Sequence, residues 1–158
     1  MTTHEQSDNN STAIVSYLFD ASVAGIILPI SDYINSLHVQ EYDIVRDASL
    51  KRQLEFSTGR FCAKSALTRL GIDNFPVLRN QHREPLWPND IIGSISHCKD
   101  LCGAVAARIS DFKAVGFDIE NIKALKQDIS KVICTPKELK WLRFIRSIYS
   151  IRYLAVKL

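Results

Sequence analysis

ASLKRQLEFSTGRFCAKSALTRL, residues 48–70, is the stretch on which the architecture turns. Leu50, Leu54, Phe61, Ala66, Leu67 and Leu70 form an apolar stripe at helical spacing, and Gly71 is a natural stop just past it. The pattern predicts a long helix from Ala48 to Leu70. Gly59 lies inside it at a cost of roughly 1 kcal/mol relative to Ala, and a mid-helix glycine permits close approach by a ligand or a second backbone. Arg52 and Arg60 on this helix stand about 80° apart around the axis and about two turns along it. They can grip different parts of one long anion.

Downstream, the segment from Phe75 to Pro88 carries three prolines, Pro76, Pro85 and Pro88, and reads as a loop with two further cations, Arg79 and Arg83. Ile91–His97 alternates apolar with small or polar residues, so it is expected to be a strand ending in the polar pair Ser96-His97. Leu101 to Ile109 reads as a second strand and Lys113 to Glu120 as a third, joined through a hairpin at Ser110-Asp111-Phe112. Upstream, β-branched and aromatic residues from Ile14 to Leu28 suggest one or two strands ended by Pro29. Ser31 or Asp32 is placed to cap a short helix through Leu37. Near the C-terminus, Thr135-Pro136-Lys137-Glu138 is a capping box, and it should start a helix running through Trp141, Leu142 and Ile145. Residues 1–12 are polar and expected to be a disordered tail, which leaves 13–158 as a single domain.

In the third expected strand, Val115, Phe117 and Ile119 alternate with Gly116, Asp118 and Glu120. A period of two places both acids on one face. Two hard carboxylates at that spacing suit Mg²⁺, which takes one or two protein carboxylates and fills its octahedron with water and phosphate oxygens. A solvated edge strand is the bland alternative for an isolated Asp-x-Glu. Cys62, Cys98, Cys102 and Cys134 contain no C-x-x-C pair, and His97, Cys98 and Cys102 match no standard zinc spacing. Ordinary reduced thiols are expected.

Charge is segregated along the chain. Residues 1–45 contain six acids and no Lys or Arg, whereas residues 46–158 hold all 20 cations against 11 acids. A basic body suits an anionic partner, although a solvated basic face would look the same. With 46% hydrophobic residues the chain is too apolar to be disordered. Its longest apolar run, Ala13 to Ile30, is interrupted by Asp20, Gly25 and Pro29, so no spanning helix is expected. The first Lys or Arg is Arg46, and without a basic leader a cytoplasmic location is expected. The charge resembles that of nucleic-acid binders, but no helix-turn-helix, finger or aromatic platform accompanies it, so no nucleic-acid partner is expected.

Four motifs stand in order: Gly59-Arg60-x-Cys62-Ala63-x-x-Ala66-Leu67, Arg83-x-Pro85-x-Trp87-Pro88, Gly93-Ser94-Ile95-Ser96-His97-Cys98 and Gly116-Phe117-Asp118-Ile119-Glu120. From about Ile44 to Trp141 the chain resembles the 4′-phosphopantetheinyl transferases, in particular the enterobactin-synthetase-component branch. The resemblance implies transfer of 4′-phosphopantetheine from coenzyme A to a serine of an apo carrier protein in siderophore or nonribosomal peptide synthesis. It implies that Arg52 and Arg60 contact the coenzyme A phosphates, with Arg83 and Arg79 near the 3′-phosphate and adenine. Ser96 and His97 would bind phosphate, Asp118 and Glu120 would hold Mg²⁺, and His97, Asp118 and Glu120 would be the catalytic residues. The implied fold is α+β, two similar halves packed as a pseudo-dimer. The first half is expected to be complete and the second truncated, because the family's final Lys-Glu-Ser/Ala signature is missing after Tyr153–Leu158. That signature supplies a third metal carboxylate and a lysine, so impaired transfer is expected. The alternative is a non-catalytic remnant that binds coenzyme A or a carrier protein. The expected state is a monomer of low solubility, free in the cytoplasm or within a membrane-associated synthetase complex.

Overall fold

The computed structural model describes residues 14–120 and 134–141. The chain divides into two compact units, Met1–Asn121 and Ile122–Leu158. The polar tail, the course of the last helix beyond Trp141 and the reading of 148–158 lie outside the described residues.

The first unit is built on a three-stranded antiparallel sheet of β1 (Ala24–Pro29), β2 (Ile91–His97) and β3 (Leu101–Arg108), ordered β1-β3-β2. Between β1 and β2 come a 3₁₀ turn at Ile34–Ser36, a short helix α1 (Val39–Asp43) and a long helix α2 (Leu50–Arg69). The architecture is α+β, as the resemblance implied. β3 is central, and its residues Cys102 to Ala107 are all buried because both faces of the sheet are covered.

α2 covers one face. Its Cys62, Ala63, Ala66 and Leu67 pack with Ile26, Leu28, Ala104 and Ala106 in one apolar core. Gly59 serves this packing, since a Cβ there would lie 3.1 Å from Ile95 Cγ2 and 3.4 Å from Cys102 Sγ. The helix starts where Ser49 Oγ accepts a hydrogen bond from Arg52 N at 3.4 Å. It ends in a Schellman motif: Gly71, at φ 80°, donates to Thr68 O and Ile72 donates to Leu67 O, both at 2.9 Å. Helix and stop therefore fall within two residues of the limits expected from sequence.

The opposite face differs from the expectation in two places. Residues 14–18 are helical, with Phe19 N donating to Val15 O, and only the second half of the Ile14–Leu28 run becomes a strand. Val15, one turn before Phe19, packs with it against Val105 and Ala107. A helical turn delivers both residues to that face, and this packing overrides the β-propensity of the segment. The third expected strand, Lys113 to Glu120, forms no ladder, and the turn at Ser110-Asp111-Phe112 is not a hairpin connection. Phe112 N does bond back to Arg108 O at 3.2 Å, but the chain then crosses the sheet face with Phe112, Val115 and Phe117 against the second core. Gly103 makes room for this crossing, since a Cβ there would lie 3.1 Å from Phe117 Cε1. The alternation survives without the ladder: Val115, Phe117 and Ile119 are half-buried, and Gly116, Asp118 and Glu120 are exposed.

In the second unit the capping box is present. Thr135 N donates to Glu138 Oε2 at 2.7 Å and Glu138 N donates to Thr135 Oγ1 at 3.3 Å, opening a helix at 136–141. The bonds from the Thr135 backbone and hydroxyl hold the Glu138 carboxyl below its ordinary value.

Gly25 in β1 tests how tightly the sheet is packed. A Cβ there would lie 2.7 Å from Ala104 O and 2.9 Å from Val105 Cγ1. Gly25→Ala is expected to lower the unfolding free energy by about 1–3 kcal/mol in urea denaturation. Gly116→Ala, with nothing within 4 Å of its Cβ, is expected to stay within about 0.5 kcal/mol of wild type.

Candidate functional site

Arg60 projects from the buried side of α2 and is only 6% exposed. Its guanidinium lies 4.3 Å from the centre of the Phe56 ring, and its Nη2 donates to Leu78 O at 3.5 Å. Among the described residues no carboxylate lies within ion-pair distance of it, and its buried Nε has no hydrogen-bond partner. A cation taken out of water without a counter-ion is costly, and such a group is satisfied by an anion arriving from outside. Burial draws Arg60 down to about 10; the charge of Glu41 opposes that shift, and those of Arg52 and Arg79 add to it. The guanidinium thus stays protonated at neutral pH.

Arg52 also lies near this ring, 5.9 Å from its centre, half exposed and paired with Glu55 at 3.5 Å. Phe56 therefore has an arginine near its ring at both i−4 and i+4, a platform that the sequence reading overlooked although Arg52-x-x-x-Phe56-x-x-x-Arg60 displays it. Arg79 joins from the loop after α2, where its backbone bridges to Pro85. Arg83 occupies the exposed tip of that loop at φ 68°. Asn80 holds the tip: its Oδ1 accepts from His82 N at 2.9 Å and Glu84 N at 3.0 Å. Trp87, from the same loop, lies so close to Gly93 of β2 that a Cβ there would be 2.4 Å from its ring. The two motifs containing these residues thus form one packed unit.

At the end of β2, Ser96 Oγ donates to Asp118 Oδ1 at 2.6 Å and accepts from Ile119 N at 3.1 Å. Ser94 Oγ donates to Phe117 O at 3.2 Å. Serine side chains therefore do the work of the missing ladder and lay the Asp118–Glu120 segment across the sheet. Both acids are exposed, and alternation keeps them on one side of the segment. Among the described residues no group of three or more His, Cys, Asp or Glu gathers as a metal site. Two oxygen-donor carboxylates, one oriented by a serine, still fit a Mg²⁺ that takes its remaining ligands from water and phosphate.

His97 is exposed and sits opposite Cys102 in the β2–β3 register, so strand parity places it on the α2 face, while Ser96 and Asp118 lie on the other. Cys102 feels the charges of Arg60 and Arg52. The arginines and the Ser96–Asp118 pair therefore meet the sheet at the same end but from opposite faces. Cys102 is itself buried, donates to Glu55 O and is pushed up to about 12 by that burial, so it is an unreactive thiol.

Residues 40–107 match the family model of the 4′-phosphopantetheinyl transferase N-terminal domain. The chain is 36% identical over 111 residues to 4′-phosphopantetheinyl transferase Svp of Streptomyces mobaraensis, covering 70% of this chain and 45% of that protein. It is 35% identical over 99 residues to 4′-phosphopantetheinyl transferase PptT of Mycobacterium tuberculosis, covering 63% and 44%. It is 38% identical over 86 residues to enterobactin synthase component D of Salmonella typhimurium, covering 54% and 35%. The chain spans less than half the length of these relatives. With the helix-on-sheet core and the arginine cluster lying in the shared region, the chain belongs to the 4′-phosphopantetheinyl transferase family, and residues 40–107 are its N-terminal domain.

Proposed function

We propose that this chain binds coenzyme A and serves transfer of its 4′-phosphopantetheine to a serine of an apo carrier protein, in siderophore or nonribosomal peptide synthesis in the cytoplasm. In that reaction the serine oxygen forms a bond to phosphorus, the bond from phosphorus to the adenosine bisphosphate breaks, and the serine proton leaves. The observation that carries the reading is the buried Arg60, whose Nε lacks a partner among the described residues. Coenzyme A is a long polyanion, and the cations from Arg60 and Arg52 through Arg79 to Arg83 are spread to match one. Arginine forks pair phosphate oxygens two at a time, which lysine cannot do. On this reading Arg79 and Arg83 take the 3′-phosphate and adenine end, and His97 donates to a phosphate oxygen. Asp118 and Glu120 would hold Mg²⁺, whose role when bound is to neutralise the phosphate charge. Ser96 orients Asp118 for that ligation.

The direct test incubates the chain with coenzyme A, Mg²⁺ and an apo carrier protein and weighs the carrier. Gain of one phosphopantetheine, at a lower rate than with the longer relatives, is expected; coenzyme A binding without gain would replace transfer by the non-catalytic binding reading. Arg60→Ala should weaken coenzyme A binding about 10–100-fold in calorimetry, the range for losing a charge-assisted hydrogen bond. Arg60→Lys should fall between the two. Because Arg60 carries its proton only below about 10, its share of the affinity is present at neutral pH and lost as pH rises through that value. Ser96→Ala should raise the Mg²⁺ concentration needed for half-maximal transfer by about 10–100-fold, as loss of an outer partner of a metal ligand does.

A further inference from the structure

Glu41 is the one carboxylate among the described residues that is fully buried, and it belongs neither to the arginine cluster nor to the Ser96–Asp118 pair. Its Oε2 accepts from His38 N at 2.9 Å and from Lys64 Nζ of α2 at 3.1 Å. Its Oε1 accepts from Val77 N at 2.9 Å, 36 residues along the chain. Lys64 Nζ also donates to Ser36 O. Three segments thus converge on one side chain.

The bond to Val77 matters because of the two residues next to it. Leu78 O is the acceptor for Arg60 Nη2, and Arg79 comes directly after Leu78. The Glu41 carboxylate therefore clamps the backbone on which the Arg60 guanidinium rests and from which Arg79 projects. Its charge is also the largest favourable one acting on Arg60, yet it lies beyond ion-pair distance. A counter-charge held one peptide away supports the cation without occupying its fork. Buried ion pairs are often replaceable by apolar residues without loss of stability, so stability alone is a weak reason for a carboxylate at this place.

We infer that Glu41 is a positioning residue for anion binding: through Val77 and Leu78 it sets the Arg60 guanidinium and the Arg79 loop as one phosphate-receiving unit. This rests on the arginine cluster being the ligand site proposed above. The test compares wild type, Glu41→Gln and Gly25→Ala, well below their melting temperatures, with two probes, inorganic pyrophosphate and coenzyme A. Amide exchange is followed over residues 76–79. Glu41→Gln is expected to weaken binding of both probes about tenfold and to speed exchange over 76–79. Gly25→Ala, destabilised at a distance, should bind like wild type.

Equal affinity loss in both variants, or none in Glu41→Gln, would overturn the inference and leave Glu41 a structural residue. If wild type binds pyrophosphate but not coenzyme A, and Glu41→Gln weakens the former, the positioning role holds while the coenzyme A reading falls. If wild type binds neither, both fall. Should Glu41→Gln fail to fold, wild type alone decides: saturating ligand should slow exchange at Val77, and an unchanged rate would overturn the coupling.

Discussion

The structure depends on how closely α2 can approach β3. Gly59, Cys62, Ala63 and Ala66 meet Cys102, Ala104 and Ala106, small residues on both sides. Close packing gives dispersion contacts to every buried atom, and it tolerates little added volume. It also determines where the helix's larger residues go. With the small residues on the sheet, Phe56 and Arg60 stand beside that contact, and Arg60 reaches the loop after the helix at Leu78 O. The arginine cluster is a by-product of this geometry as much as of its own charges.

Hydrogen bonding then holds apart two buried charges of opposite sign, Glu41 and Arg60. Glu41 is paired with Lys64 and accepts two backbone hydrogen bonds, so its cost of burial is met locally. Arg60 is left with a ring face, one carbonyl and an Nε without a partner among the described residues. The low-dielectric surroundings that make this arrangement costly also strengthen any phosphate contact made there. Asp118 and Glu120 differ in kind: both are exposed, and a serine hydroxyl sets the direction of Asp118.

Much of this was legible from residues alone. The limits of α2 followed from a serine cap and a glycine stop, β2 matched its expected span, and β3 ended one residue early. The expectation failed where partners decide: Ile14 to Leu28 has strand composition, but Val15 and Phe19 are needed on one face of the sheet, and a helical turn provides that. Lys113 to Glu120 has strand alternation, but it spends its apolar residues on a sheet face and receives serine side chains in place of a ladder. Phe56 went unnoticed because an aromatic at helical spacing reads first as core. Glu41 was only one of six acids in an acidic N-terminal third.

What the sequence by itself determined is therefore local: the cap and stop of α2, the capping box at Thr135-Pro136-Lys137-Glu138, the alternation from Val115 to Glu120, and the family signatures. Each depends on neighbours a few residues away, and the side chains encode it directly. Tertiary structure alone decided which arginine is buried without a counter-ion, which face receives Asp118, and that Glu41 bonds Val77 across 36 residues. Those outcomes depend on segments far apart in the chain being brought together, and no short window of sequence carries the energy of that meeting.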